Sequence, residues 1–130
     1  MRIAVTLIVV FLAVAGLVLY ALRGSGKVYS MSPTEFVEEA DPDGLILDVR
    51  TPEEYAAGHL DGAVNINIYD RDFRDRVDSY DRERPVYLYC GSGQRSRQAA
   101  ITLASMGFEQ ARNIGGYGEL TNAGAKVVQP

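Results

Sequence analysis

PVYLYCGSGQRS, residues 85–96, is the stretch on which the reading of this chain turns. Pro85 to Tyr89 carries no charge and is rich in β-branched and aromatic side chains, the composition of a buried strand. Cys90 follows at once, then Gly91, Ser92, Gly93, Gln94 and Arg95. From Ser96 to Met106 an apolar stripe at Ala100, Leu103 and Ala104 predicts a helix, with Gly107 as its stop. A strand that passes through a glycine-bearing turn into a helix places Cys90 at the carboxyl edge of a sheet, where open α/β sheets put their ligand sites. Two glycines in three residues let the backbone curl so that successive N–H groups point inward. The positive end of the helix and Arg95 add to the same field, so the loop favours an anion at its centre. A thiol held there loses its proton more readily than a free thiol of pKa about 8.5. Cys90 is the only cysteine, which excludes a disulfide within the chain and a cysteine-rich metal site. An inert core cysteine is the competing reading, and a glycine-rich loop is a poor place for one.

Outward from this loop, strands and helices alternate. Ser32-Pro33-Thr34-Glu35 is a capping box with proline at the first helical position, predicting a helix over Pro33–Ala40. Leu45-Ile46-Leu47 reads as a buried strand ending in Asp48, and Thr51-Pro52-Glu53-Glu54 caps a second short helix that stops near Gly58. Ala63–Ile68 and Ala111–Ile114 complete the strands. Between them, Tyr69–Arg84 mixes acids and arginines with i,i+4 pairs such as Asp70/Arg74 and Asp72/Arg76, the pattern of a solvated helix face. The alternation predicts an α/β fold with a largely parallel sheet. Asp48 and Arg50 have two readings: they bracket the site from the neighbouring strand end, or, the favoured reading, they are structural through an Asp48–backbone bond and an Arg50–Glu54 pair. His59, the only histidine, invites a general-base role.

The first two dozen residues are of another kind. Ile3–Leu22 holds 20 residues without a charge, roughly 30 Å as a helix, the thickness of a bilayer's hydrocarbon core. Cleavage after Ala13-Val14-Ala15 would leave GLVLYAL on the mature protein, so a retained anchor fits better than a cleaved signal. The expected organisation is a transmembrane helix over 1–23, a Gly24-Ser25-Gly26 hinge within a linker over 24–27, and one domain over 28–130. Residues 28–130 carry ten basic and 17 acidic residues, a formal charge of −7. That sign argues against nucleic acid or an anionic membrane surface as the domain's partner. Arg2 stands before the apolar run and Arg23 and Lys27 after it, so the positive-inside rule assigns no orientation.

LDVRTPEEYAAGHLDGAVNIN (47–67) resembles the first signature of the rhodanese family, YCGSGQRS (89–96) its active-site loop, and NIGGYGELTNAG (113–124) its closing signature. The resemblance implies a three-layer fold with a five-stranded parallel sheet between helices. It implies a thiosulfate sulfurtransferase in which Cys90 carries sulfur as a persulfide between a donor such as thiosulfate and an acceptor, cyanide or a thiol. Gly91, Ser92, Gly93, Gln94 and Arg95 would cradle the substrate, with no metal or organic cofactor. It also makes His59 a structural turn residue in place of a general base, and favours the periplasmic side of a bacterial envelope for the domain. Many relatives have tryptophan where this chain has Leu120, which predicts looser packing near the C-terminus. Two rivals stand beside this reading. Cysteine phosphatases of the same architecture place arginine six positions after the cysteine, whereas Arg95 is five after Cys90, a loop too short for a phosphoryl group. The other rival is a non-enzymatic sulfur-sensing module.

Overall fold

The computed structural model describes residues 1–23 and 27–130, so the expected Gly24-Ser25-Gly26 hinge lies outside the described residues. Helix α1 (Arg2–Arg23) comes first. It is long and apolar enough to cross a membrane, by length and composition, and none of its membrane-length window is buried against the rest of the protein.

Strand β1 (Lys27–Ser30) opens the domain, one residue inside the expected linker. Then come α2 (Pro33–Glu39), β2 (Leu45–Asp48), α3 (Pro52–Ala57), β3 (His59–Leu60), β4 (Val64–Asn65) and α4 (Phe73–Asp78). Next are β5 (Val86–Cys90), α5 (Gln94–Ser105), β6 (Gln110–Gly116), α6 (Tyr117–Asn122) and β7 (Val127–Val128). Five strands form one parallel sheet in the order β1-β6-β5-β2-β4. β3 and β7 pair antiparallel in a separate ribbon, which the sequence pattern does not announce.

Both expected capping boxes form. The Ser32 and Thr51 hydroxyls accept from the Glu35 and Glu54 amides, and each glutamate accepts from its capping residue's backbone in return. β5 lies at the centre of the sheet and is buried throughout. Side chains alternate along it with the strand period of two. Val86, Leu88 and Cys90 face a core built with α4 and α5 residues such as Phe73, Val77, Ala99 and Leu103. Tyr87 and Tyr89 face the opposite core, with Phe36, Leu60 and Leu120. Helices thus cover both faces, which is why β5 reads as an unbroken apolar run.

The structure departs from the sequence reading in its details. Only Val64–Asn65 of the expected 63–68 strand joins the sheet. In the charged segment the helix starts at Phe73, so Asp70 and Asp72 lie before it and the expected pairs do not form. Asp70 pairs instead with Arg76, at 3.6 Å, and Asp78 with Arg82. Leu120 is fully buried, so the smaller side chain in this position still fills core. β1 and α6 were not expected, because KVYS is too short and exposed to carry a pattern and YGELTN has no periodic stripe.

Candidate active site

The turn after β5 is shorter than the sequence suggests. α5 begins at Gln94, not Ser96, so only Gly91, Ser92 and Gly93 lie between strand and helix. Gly93 makes this turn with φ of 93°, a conformation that a side chain disfavours. Its N–H donates to Cys90 Sγ at 3.0 Å. The turn packs on the glycine pair that ends β6. A Cβ on Gly116 would stand 2.5 Å from the Gly91 carbonyl oxygen, and one on Gly93 would stand 3.3 Å from Gly115 Cα. Gly116 is therefore required by close backbone approach, and Gly115 by its φ of 101°.

β6 carries one extra residue, Ile114, between the partners of Leu88 and Tyr89. Such bulges re-aim side chains beside functional sites. Here Asn113 is turned to the loop: its Nδ2 donates to the Gly93 carbonyl at 3.0 Å, and its Oδ1 accepts from Ser96 Oγ at 2.8 Å. The Ser96 hydroxyl, itself fully buried, also lies 3.5 Å from Cys90 Sγ. Cys90 is fully buried. Burial opposes its ionisation, but hydrogen bonds from the Ser96 hydroxyl and from the amides of Ser96, Ser92 and Gly93 more than offset this. The thiol is held below its ordinary range.

Of the residues expected to cradle an anion, Ser92 and Gly93 turn their amides to the sulfur, while the Gly91, Ser92 and Gln94 side of the turn is exposed. Arg95 is already engaged. Its Nη1 donates to Glu54 Oε1 at 2.7 Å and its Nη2 to Glu54 Oε2 at 3.0 Å. This corrects the expected Arg50–Glu54 pair. Arg50 instead lies across Asp48, with Nη2 2.7 Å from Oδ2, and donates again to the Gly58 carbonyl at 2.7 Å. The expected Asp48–backbone bond is present, from Arg50 N–H to Oδ1 at 3.0 Å. His59 stacks on Tyr55, ring centroids 3.6 Å apart, with Nδ1 2.8 Å from the Tyr55 carbonyl oxygen, and so holds the turn after α3.

The residues match the family model of the rhodanese-like domain over positions 32–123. That span covers most of the chain. The chain belongs to the rhodanese-like domain family. It is similar to the thiosulfate sulfurtransferase PspE of Escherichia coli, 35% identical over 76 residues, covering 57% of this chain and 71% of that protein. In structure it resembles the rhodanese-like domain of the Alr3790 protein from Anabaena, with a TM-score of 0.68, 28% identity, and coverage of 78% and 79% of the two chains. It also resembles a rhodanese with anions from E. coli, with a TM-score of 0.57, 32% identity, and coverage of 67% and 99%. The three-layer fold with its five-stranded parallel sheet is the rhodanese fold, and the chain falls within a sulfurtransferase family.

Sequence reasoning passed over Glu54, Ser96 and Asn113 as site residues. Glu54 is accounted for by its capping box and by the expected pair with Arg50, and nothing local reveals that its carboxylate crosses to α5. Asn113 and Ser96 flank the glycine signatures, and that adjacency was the available signal. A cleft of about 510 Å³, lined by Phe36, Val37, Ile46 and Leu60 among others, lies on the opposite core's side and shares no residue with the Cys90 loop. Asp61 and Lys126 are the charged groups in its lining.

Proposed function

We propose that this protein is a sulfurtransferase that moves sulfane sulfur from a donor such as thiosulfate to a thiophilic acceptor through a persulfide on Cys90. The observation that carries the reading is the Gly93 N–H on Cys90 Sγ at 3.0 Å, within a turn whose amides and serine hydroxyl lower the thiol's pKa. A similar E. coli rhodanese is described with anions, which supports a site of this family that takes an anion. In the first half-reaction the Cys90 thiolate attacks the outer sulfur of thiosulfate. The S–S bond of the donor breaks, and its electron pair leaves with sulfite. One thiolate and one dianion thus become one persulfide anion and one dianion. In the second half-reaction cyanide, or a cellular thiolate, attacks the outer sulfur of the persulfide and restores the Cys90 thiolate. The kinetics are ping-pong.

The chain's own groups act at named points. The Gly93, Ser92 and Ser96 amides hold negative charge on sulfur in both the thiolate and the persulfide. Asn113 fixes the turn by binding the Gly93 carbonyl and the Ser96 hydroxyl. Residues 3–22 anchor the protein in a membrane, with the domain on the periplasmic side. An impermeant thiol reagent that labels Cys90 in whole cells supports that side, and protection of Cys90 opposes it.

The test is the mass of the intact protein after thiosulfate treatment. One added sulfur atom is expected, removed by cyanide as thiocyanate. Cys90→Ala should gain none while keeping the wild-type circular dichroism spectrum. Thiocyanate formation by that variant would overturn the assignment.

A further inference from the structure

Arg95 is the cation of the loop, and a planar guanidinium is suited to two oxygens of a sulfonate at once. In this structure both forward nitrogens already hold the two oxygens of Glu54. The pair stands over the turn: a Cβ on Gly91 would lie 3.1 Å from Arg95 Nη2 and 3.8 Å from Glu54 Oε2. Both members are reachable from solvent, with side-chain exposures of 23% for Arg95 and 37% for Glu54. Glu54 is itself held by Thr51, whose hydroxyl and amide lie 3.2 and 3.3 Å from Oε1. An incoming dianion therefore meets a thiolate below the turn and a neutralised arginine above it. Within the turn itself, the partial charges of the amides are left to attract it.

We propose that Glu54 is a specificity-determining residue of this site. By occupying the Arg95 fork it makes the protein discriminate against strongly anionic sulfur donors in favour of less charged ones. An anionic donor has to displace Glu54 or bind without the arginine. A donor of lower charge loses less by its absence. The proposal deepens the sulfurtransferase reading and rests on it for the identity of the donor, but the charge preference at Cys90 exists whether or not sulfur is transferred.

Glu54→Gln tests it, because glutamine keeps the shape and still serves a capping box. The full-length protein in a non-ionic detergent is assayed with thiosulfate, a dianion, and with an aryl thiosulfonate, a monoanion that yields the same persulfide and an aryl sulfinate. The expected result is a KM for thiosulfate lowered about 3- to 10-fold, the scale of one screened charge pair, with kcat within about twofold. The aryl thiosulfonate KM should fall by less. An unchanged or raised thiosulfate KM would overturn the proposal, the latter by showing that Glu54 aims Arg95 at the donor. A second readout is independent of sulfur transfer: the ratio of Cys90 alkylation rates by iodoacetate and by neutral iodoacetamide. That ratio should rise on Glu54→Gln by a similar factor, and a constant ratio would count against the proposal. If wild type fails to acquire sulfur while the ratio still rises, the donor reading falls and the role of Glu54 stands. A thiol reached by neither reagent nor thiosulfate would overturn both.

Discussion

Two arginine–carboxylate pairs stand at the carboxyl edge of the sheet, alike in chemistry and opposite in setting. Asp48 and Arg50 are sealed in, with side-chain exposures of 0% and 6%. Glu54 and Arg95 are open to solvent, at 37% and 23%. The sealed pair is completed on every side. Tyr89 Oη donates to Asp48 at 2.7 Å and accepts the Leu60 N–H at 3.0 Å. Burial first, and the Asp48 carboxylate with it, keep that phenol protonated. The Arg50 guanidinium lies 4.6 Å from the Tyr117 ring centroid and 5.5 Å from that of Tyr89. The open pair has one further partner, Thr51. The lesson is that burial, more than geometry, separates a fastening from an exchangeable contact. A buried ion pair cannot trade partners without stranding a charge, whereas a wet one exchanges at small cost.

The sharpest way to break this comparison is to remove one member of each pair. Asp48→Ala leaves a buried guanidinium without its counter-charge and the Tyr89 hydroxyl without its acceptor. The expected loss is about 3–5 kcal/mol of unfolding free energy, much of the roughly 5–15 kcal/mol a domain possesses. Urea unfolding of the full chain in detergent, followed by tyrosine fluorescence, measures it. A loss below about 1 kcal/mol would place Asp48–Arg50 in the same class as the open pair.

The next effect is smaller and falls on function. Arg95→Lys keeps the charge but loses the planar fork. With Glu54 present it should reduce kcat/KM for thiosulfate by about 1 kcal/mol. In the Glu54→Gln background, where the fork is free for the donor, the same change should cost up to about 3 kcal/mol, the range of charge-assisted hydrogen bonds. Arg97, exposed in the same helix, should tolerate lysine without effect. Equal costs in the two backgrounds would mean that Glu54 and the donor do not compete for Arg95.

The two pairs also mark what was legible in the sequence. Local signals were read well: the capping boxes at Ser32 and Thr51, the buried run of β5, and the glycines that let Cys90 sit under amides. Each depends on residues within a few positions of one another. The pairing of Arg95 with Glu54 crosses 41 positions, and the Tyr89–Asp48 bond crosses the same number, so neither leaves a local trace. The Arg50–Glu54 expectation failed for a physical reason. Arg50 is drawn inward by the nearer Asp48 and capped by the Gly58 carbonyl, which leaves Glu54 free for the helix opposite. The short elements were lost for another reason. β3, β4 and β7 have two residues each, too few for a period of two to register.

The smallest expected effect is a stability dependence on pH that belongs to the open pair. Glu54 is held down to about 2, against an ordinary 4.5. The hydrogen bond from Arg95 is the chief cause, partly opposed by burial and assisted by the Thr51 amide and hydroxyl. Its folded value lies below its unfolded one. Between the two, the unfolded chain therefore binds more protons, and stability rises with pH. The contribution is complete above about pH 4.5 and is lost as pH falls through about 2. Because Glu54 is more than a third exposed, solvent screening holds it to less than about 1 kcal/mol. Urea midpoints of wild type and Glu54→Gln, taken from pH 6 down to pH 2, should therefore differ most at the upper end and converge at the lower. Added salt should shrink the difference throughout, as it does for solvated charges. A difference that held constant with pH would assign the effect of Glu54→Gln to the capping box rather than to the charge on Arg95, and the distinction between the two pairs would then rest on Asp48 alone.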